Sequence, residues 1–181
     1  RRFLKTNDLV FDASGGLWFT DPLFGRKAGE QPVMGVYYRA PSGDVSLVIE
    51  DLNRPNGVML SPDEKTLYVL PSSGSTGYAY DVTAPGTVQN RRDFGPCPGG
   101  GDGMTVDEQG NVYLTSGRLR AVLVISPEGV EIDRITLPGG PSNVCFGGPA
   151  HRTLFVTAGD SVYAVPRTIA GWIFPGAHPG G

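Results

Sequence analysis

The stretch Arg54-Pro55-Asn56-Gly57-Val58-Met59-Leu60, Ser61-Pro62-Asp63-Glu64-Lys65, Thr66-Leu67-Tyr68-Val69 reads as one unit. An amide opens it, a short apolar run follows, and a turn of proline and charged residues leads into a second apolar run carrying an aromatic. Neither run has the 3.6-residue period of a helix, and Pro62 with Asp63 punctuates the chain between them. The unit predicts two short antiparallel strands joined by a tight turn.

Working outward, the same grammar recurs three times. Asn7-Asp8-Leu9-Val10-Phe11-Asp12 leads through Gly15-Gly16 to Leu17-Trp18-Phe19-Thr20. Asp102-Gly103-Met104-Thr105-Val106-Asp107 leads through Gln109-Gly110 to Asn111-Val112-Tyr113-Leu114-Thr115. Asn143-Val144-Cys145-Phe146 leads through residues 147–152 to Thr153-Leu154-Phe155-Val156-Thr157. Between these pairs lie further strand candidates: 35–39 with 45–49, 121–125 with 130–135, and 78–82. About four short strands in each repeat of roughly 40–50 residues is the signature of a β-propeller blade. The fold class is therefore all-β, with blades over 1–49, 50–96, 97–138 and 139–181. Rings with blades this long usually have six or more, so four blades read as part of a larger ring. A complete four-blade ring is the alternative. An open arc leaves two flanks unpaired and invites edge-to-edge association.

Composition narrows the function. The chain has 181 residues, 15 Lys plus Arg against 18 Asp plus Glu, and a net charge of −3. No clustered positive surface is available to replace the counterions of a nucleic acid. The apolar runs fall far short of the roughly 20 residues of a spanning helix, so no membrane partner is expected. With 27 Gly and 16 Pro the chain is turn-rich, yet its apolar residues come in ordered bursts, which predicts a folded chain. Cys97 and Cys145 are too few for a disulfide framework and read as idle thiols, which leaves the compartment open.

In a propeller the innermost strand of each blade lines a central channel, and rotation brings equivalent residues together at one mouth. The openers here are Asn7, Asn56, Asp102 and Asn143. Singly, each reads as a turn residue bonding its own backbone. Together, amide oxygens and a carboxylate converging on one axis suit a hard, oxygen-preferring cation such as Ca²⁺.

These motifs resemble the senescence marker protein/gluconolactonase/luciferin-regenerating family, in the family's order and along nearly the whole chain. The resemblance rests on Thr6-Asn7-Asp8-Leu9-Val10 with Gly16 to Pro22, Arg54-Pro55-Asn56-Gly57-Val58, Gly101-Asp102-Gly103-Met104, and Cys145-Phe146-Gly147-Gly148. It implies a six-bladed propeller that hydrolyses lactones, notably sugar lactones, with one divalent cation in its channel (Ca²⁺ first, Zn²⁺ or Mg²⁺ as options). It implies Asn56 and Asp102 as metal ligands, Asp102 as the catalytic base, and Asn7 beside the metal orienting substrate or water. An arginine that often stands two places before the Asn-Asp motif is Lys5 here, which keeps the charge without the planar grip of a guanidinium. A glutamate ligand expected nearer the N-terminus has no counterpart, consistent with a chain that starts two blades late. Asn143 is a structural residue in this reading.

Other chemistries are poorly supplied. His151 and His178 lie away from the proposed mouth, so no Ser-His-Asp triad is expected. Gly99-Gly100-Gly101 lacks the Lys-Ser/Thr of a phosphate loop and reads as a flexible approach to Asp102. Trp18, Tyr68, Tyr113 and Phe155 recur at one repeat position and predict packing between blades. Trp172-Ile173-Phe174 reads as a partial last strand or an exposed end. The alternative to a lactonase is a non-catalytic propeller that binds ligands or proteins through its faces.

Overall fold

The computed structural model describes residues 3, 5–22 and 34–174. Four antiparallel sheets follow one another along the chain, each a meander in which neighbours in sequence are neighbours in space. The first sheet holds β1 (Leu9–Phe11), β2 (Leu17–Asp21), β3 (Gly35–Arg39) and β4 (Val45–Ile49). The second holds β5 (Pro55–Leu60), β6 (Thr66–Pro71), β7 (Thr76–Ala84) and β8 (Thr87–Pro96). The third holds β9 (Met104–Val106), β10 (Val112–Ser116), β11 (Ala121–Ile125) and β12 (Glu131–Thr136). The fourth holds three strands, β13 (Pro141–Gly147), β14 (Thr153–Ala158) and β15 (Ser161–Pro166). This is the four-blade propeller arrangement the repeat predicts.

Alternation along each strand divides its side chains between the two neighbouring sheets. Val10, Trp18 and Tyr38 pack on Val58, Leu60 and Leu67 of the second sheet. Tyr68, Ala79 and Phe94 pack on Val112, Leu123 and Ile125 of the third. Tyr113, Val122 and Val124 pack on Val144, Leu154 and Val156 of the fourth. Each fully buried side chain of this size contributes about 1.5–3 kcal/mol. Trp18, Tyr68 and Tyr113 thus play the packing role expected of them. Phe155 holds the same place in the last sheet but is only half-buried, because no described sheet lies beyond it.

The turns after β1 and β9 are tied by an aspartate. Asp12 Oδ1 accepts from the Ser14 and Gly16 amides and the Ser14 hydroxyl, and its Oδ2 accepts from Tyr38 Oη at 2.9 Å. Asp107 does the same with the Gln109 and Asn111 amides and Tyr113 Oη. In the second sheet Ser61 and Asp63 take over this task, with Ser61 Oγ accepting from the Thr66 amide. These side chains satisfy turn amides that would otherwise lack partners.

Three details depart from the expectations. The strand β8 over Thr87–Pro96 was not foreseen, because it is largely exposed and its polar run Gln89 to Asp93 shows no apolar alternation. β15 was likewise not foreseen; only its Tyr163 and Val165 pack on the core, and its other face is exposed. Trp172 to Phe174 are neither a last strand nor an exposed end. Gly171 bridges Asp107, the Trp172 amide donates to Val106 O at 3.0 Å, and the segment turns inward. There Trp172 and Phe174 join Leu9, Met59, Met104 and Val144 in lining an apolar bore of about 770 Å³ between the innermost strands.

Candidate functional site

At the end of the bore where the innermost strands begin, the lining becomes polar. Asn7, Asn56 and Asp102 line one pocket of about 350 Å³ together with Ser72, Arg118 and the loop Gly99–Gly101. Three of the four openers, separated by up to 95 positions in sequence, therefore meet there. Lys5 is exposed and is not part of the pocket wall; its backbone amide donates to Asp21 Oδ1 at 2.7 Å.

Asn143 does not join them, and the hydrogen bonds show why. Asn7 and Asp102 occupy matching places: each donates its amide to a buried threonine carbonyl one strand over, Thr20 O at 2.9 Å and Thr115 O at 3.3 Å. Each threonine hydroxyl then reaches the innermost strand of the next sheet, Thr20 to Asn56 O at 2.7 Å and Thr115 to Ser142 O at 3.4 Å. The repeat mate of Asn56 in the fourth sheet is thus Ser142, and Asn143 is the mate of Asp8. The two share a habit: Asp8 Oδ1 accepts from the Leu9 amide at 2.9 Å, and Asn143 Oδ1 from the Val144 amide at 2.8 Å. A slip of one residue along a strand turns a side chain away from its neighbours' common direction.

Asn56 behaves differently. Its Nδ2 donates to Gly101 O at 3.3 Å, which fixes the amide plane. Its Oδ1 is buried and has no protein partner. A buried acceptor left open costs roughly 1–3 kcal/mol unless a ligand, water or ion meets it. Asp102 stands beside it. Burial raises the Asp102 pKa above the ordinary carboxylate value, and the Asn56 amide offsets part of that rise. Burial also raises Asp8, against the amides of Val58 and Leu9, and the negative charge of Asp102 adds to it. Asp8 Oδ2 accepts from the Val58 amide at 3.1 Å and so ties the first innermost strand to the second.

The close fit of Asn56 and Asp102 depends on Gly57. A Cβ built there would stand 2.3 Å from the carbonyl oxygen of Asp102. Only glycine lets the second strand come this near. The glycine loop before Asp102 is bonded at every amide, to Gly74 O, Cys97 O and Pro71 O in turn, so the approach to Asp102 is held in place.

The donor set fits an oxygen-preferring divalent cation in kind: one open amide oxygen and one carboxylate. Among the described residues there is no group of three or more His, Cys, Asp or Glu placed to hold a metal. His151 lines the apolar bore and is absent from the polar pocket, and His178 lies outside the described residues. Both cysteines are free; burial pushes the Cys97 thiol up to about 11, which leaves it protonated at neutral pH.

Arg118 and Ser72 were not anticipated as pocket residues. They sit in loops between the second and third strands of their sheets, outside the repeated motif. The signal that finds them is topological: in a four-stranded meander that loop lies at the same end as the opener of the first strand.

Comparison with known proteins places this geometry. The family model described as the SMP-30/Gluconolactonase/LRE-like region matches residues 1–160. A gluconolactonase of Zymomonas mobilis is 34% identical over 184 residues, covering 91% of this chain and 51% of that protein. A gluconolactonase structure from Xanthomonas campestris superposes with a TM-score of 0.82 at 35% identity, over 92% of this chain and 58% of that one. The structure of regucalcin, a calcium-binding protein from Agrobacterium tumefaciens, superposes with a TM-score of 0.74 at 28% identity, over 86% of this chain and 53% of that one. The chain spans about half the length of the Zymomonas relative.

Proposed function

We propose that this chain, which belongs to the SMP-30/gluconolactonase/LRE-like family, hydrolyses small lactones, sugar lactones foremost, in the pocket between Asn7, Asn56 and Asp102. The observation that carries the reading is the buried, unpartnered Oδ1 of Asn56 beside the Asp102 carboxylate. Those two oxygens would hold a divalent cation, Ca²⁺ by the hardness of the donors, with Mg²⁺ or Zn²⁺ as lesser fits. Such an ion supplies Lewis acidity to an ester carbonyl and acidity to a water.

The remaining work falls to side chains. Asp102 accepts a proton from the water as its oxygen bonds to the lactone carbonyl carbon. The ring C–O bond then breaks, the departing alkoxide takes back the proton held by Asp102, and an open-chain hydroxy acid leaves with the Asp102 carboxylate restored. A carboxylate facing a dication is held ionised, so Asp102 would serve both roles by turning one oxygen to the ion and the other to the water. Asn7, exposed at the rim, offers both a donor and an acceptor to substrate hydroxyls. Lys5, two residues before Asn7 in sequence and outside the pocket wall, would contribute positive charge from solvent rather than a contact.

Calorimetric titration with Ca²⁺, run beside a pH-stat assay on D-glucono-1,5-lactone, tests this. One ion per chain and metal-dependent acid release are expected, with Asn56→Ala weakening the ion at least tenfold. A folded sample that neither binds a cation nor releases acid would leave only a non-catalytic binding propeller.

A further inference from the structure

Arg118 is the one basic side chain in the wall of the Asn56–Asp102 pocket. Four arginines of the described residues form ion pairs, namely Arg91, Arg92, Arg134 and Arg167, and Arg118 is not among them. It extends from the β10–β11 turn, with its stem laid on Gly99. That glycine has φ +85°, and a Cβ there would stand 2.6 Å from Arg118 Cδ and 3.0 Å from its Cβ. Glycine at 99 thus does two things: it takes a left-handed turn, and it leaves a bed for the methylene groups. Arg118 is exposed at the pocket's edge, and a stem laid on glycine has less rotamer freedom to lose on binding.

From this placement we propose that the pocket selects lactones bearing an anionic substituent remote from the ester, a carboxylate or a phosphate, with Arg118 as the residue that reads it. The inference rests on the hydrolase reading above and names its substrate class. Asp102 and Asn56 take the ester end. Arg118, anchored on a separate loop of the same pocket, meets the far end of a substrate of monosaccharide size. A guanidinium is suited to that task because its planar fork matches two oxygens of a carboxylate or phosphate at once. A neutral hydroxymethyl group at the same place offers it one weak acceptor. An acidic chain of net charge −3 has no general attraction for anions, so selectivity of this kind must come from a local group.

Matched substrates provide the test. D-glucaro-1,4-lactone and D-glucono-1,4-lactone differ in a carboxylate against a hydroxymethyl group. The 6-phosphate of D-glucono-1,5-lactone and its parent differ in a phosphate. The proposal expects kcat/KM for one charged member to exceed that of its neutral partner about tenfold, mainly through KM, and the two pairs tell carboxylate from phosphate. The preference should shrink as ionic strength rises. Arg118→Gln should collapse the charged-to-neutral ratio to near one, and Arg118→Lys should restore part of it, with unchanged melting temperatures as the folding control. A ratio near one in the unaltered protein for both pairs, or an equal loss for both members in Arg118→Gln, overturns the assignment and leaves the hydrolase reading intact. No turnover of any of the four lactones overturns both.

Discussion

The Thr20 hydroxyl donates to the Asn56 carbonyl at 2.7 Å, across the gap between the first and second sheets. The same threonine accepts the Asn7 amide through its carbonyl and the Asp8 amide through its Oγ1, and its own amide donates to Asp8 O. One fully buried side chain on β2 therefore sets the spacing between two walls of the pocket. Thr20→Val keeps the shape and removes the hydroxyl. It should cost about 1–3 kcal/mol in urea unfolding, since the Asp8 amide and Asn56 carbonyl lose a partner. It should also weaken Ca²⁺ binding measured by calorimetry, whereas Thr20→Ser retains most of both.

Gly57→Ala tests the approach of strand to strand. The added methyl meets a backbone carbonyl, which cannot swing aside as a side chain would. We expect a loss of about 1–3 kcal/mol and a drop in cation affinity larger than that of any alanine placed on the outer strands. An alanine variant that melts and binds as the parent does would show that the two strands have room to part.

The division of labour in the pocket predicts unequal losses. Asp102→Asn should lower kcat by about 100-fold or more, because the proposed mechanism then loses its proton acceptor and a charged ligand together. Asn7→Ala should act mainly on KM, by about tenfold or less. Steady-state kinetics on D-glucono-1,5-lactone separates the two. Small and equal losses would remove Asp102 from the chemistry.

Acid stability should report on Asp12. Burial opposes its ionisation, but hydrogen bonds from the Ser14 hydroxyl, the Gly16 amide, Tyr38 and the Ser14 amide outweigh that and hold its pKa below the ordinary value. A folded pKa below the unfolded one contributes stability that is fully present above about pH 5. It is lost as pH falls through roughly 3.9 towards the folded value. Asp12→Asn should flatten the stability profile below pH 4, by at most about 1.4 kcal/mol per pH unit. Urea midpoints measured from pH 6 to pH 2.5 give the comparison.

The strands that carry the pocket were legible because each follows the same opener, apolar run and turn in four successive repeats. Leu9, Val58, Met104 and Val144 fall in line as soon as the turns are recognised. β8 and β15 were not, since outer strands that bury only a residue or two carry little apolar pattern. The convergence of Asn7, Asn56 and Asp102 followed from rotation alone. The place of Asn143 did not, because the fourth sheet carries Ser142 where the others carry an amide or acid, and the nearest asparagine is one residue late. Arg118 was invisible for a different reason: a turn outside the repeat is tied to the pocket only by how the sheet folds. The inward path of Trp172 likewise depends on a backbone pairing with Val106 that no local pattern announces.

The fourth sheet has three strands, an outer face on which Val162 is exposed and Phe155 half-covered, and apolar support from one neighbour among the described sheets. Free energy of opening is unevenly spread through such a stack. Amide deuteration should therefore run fastest along β14 and β15 and slowest in β6 and β10, which are sandwiched. Unravelling from that side would release Pro141, and with it one edge of the pocket, before the Thr20 clamp is disturbed, so the molecule would lose ligand binding well ahead of its central pleats.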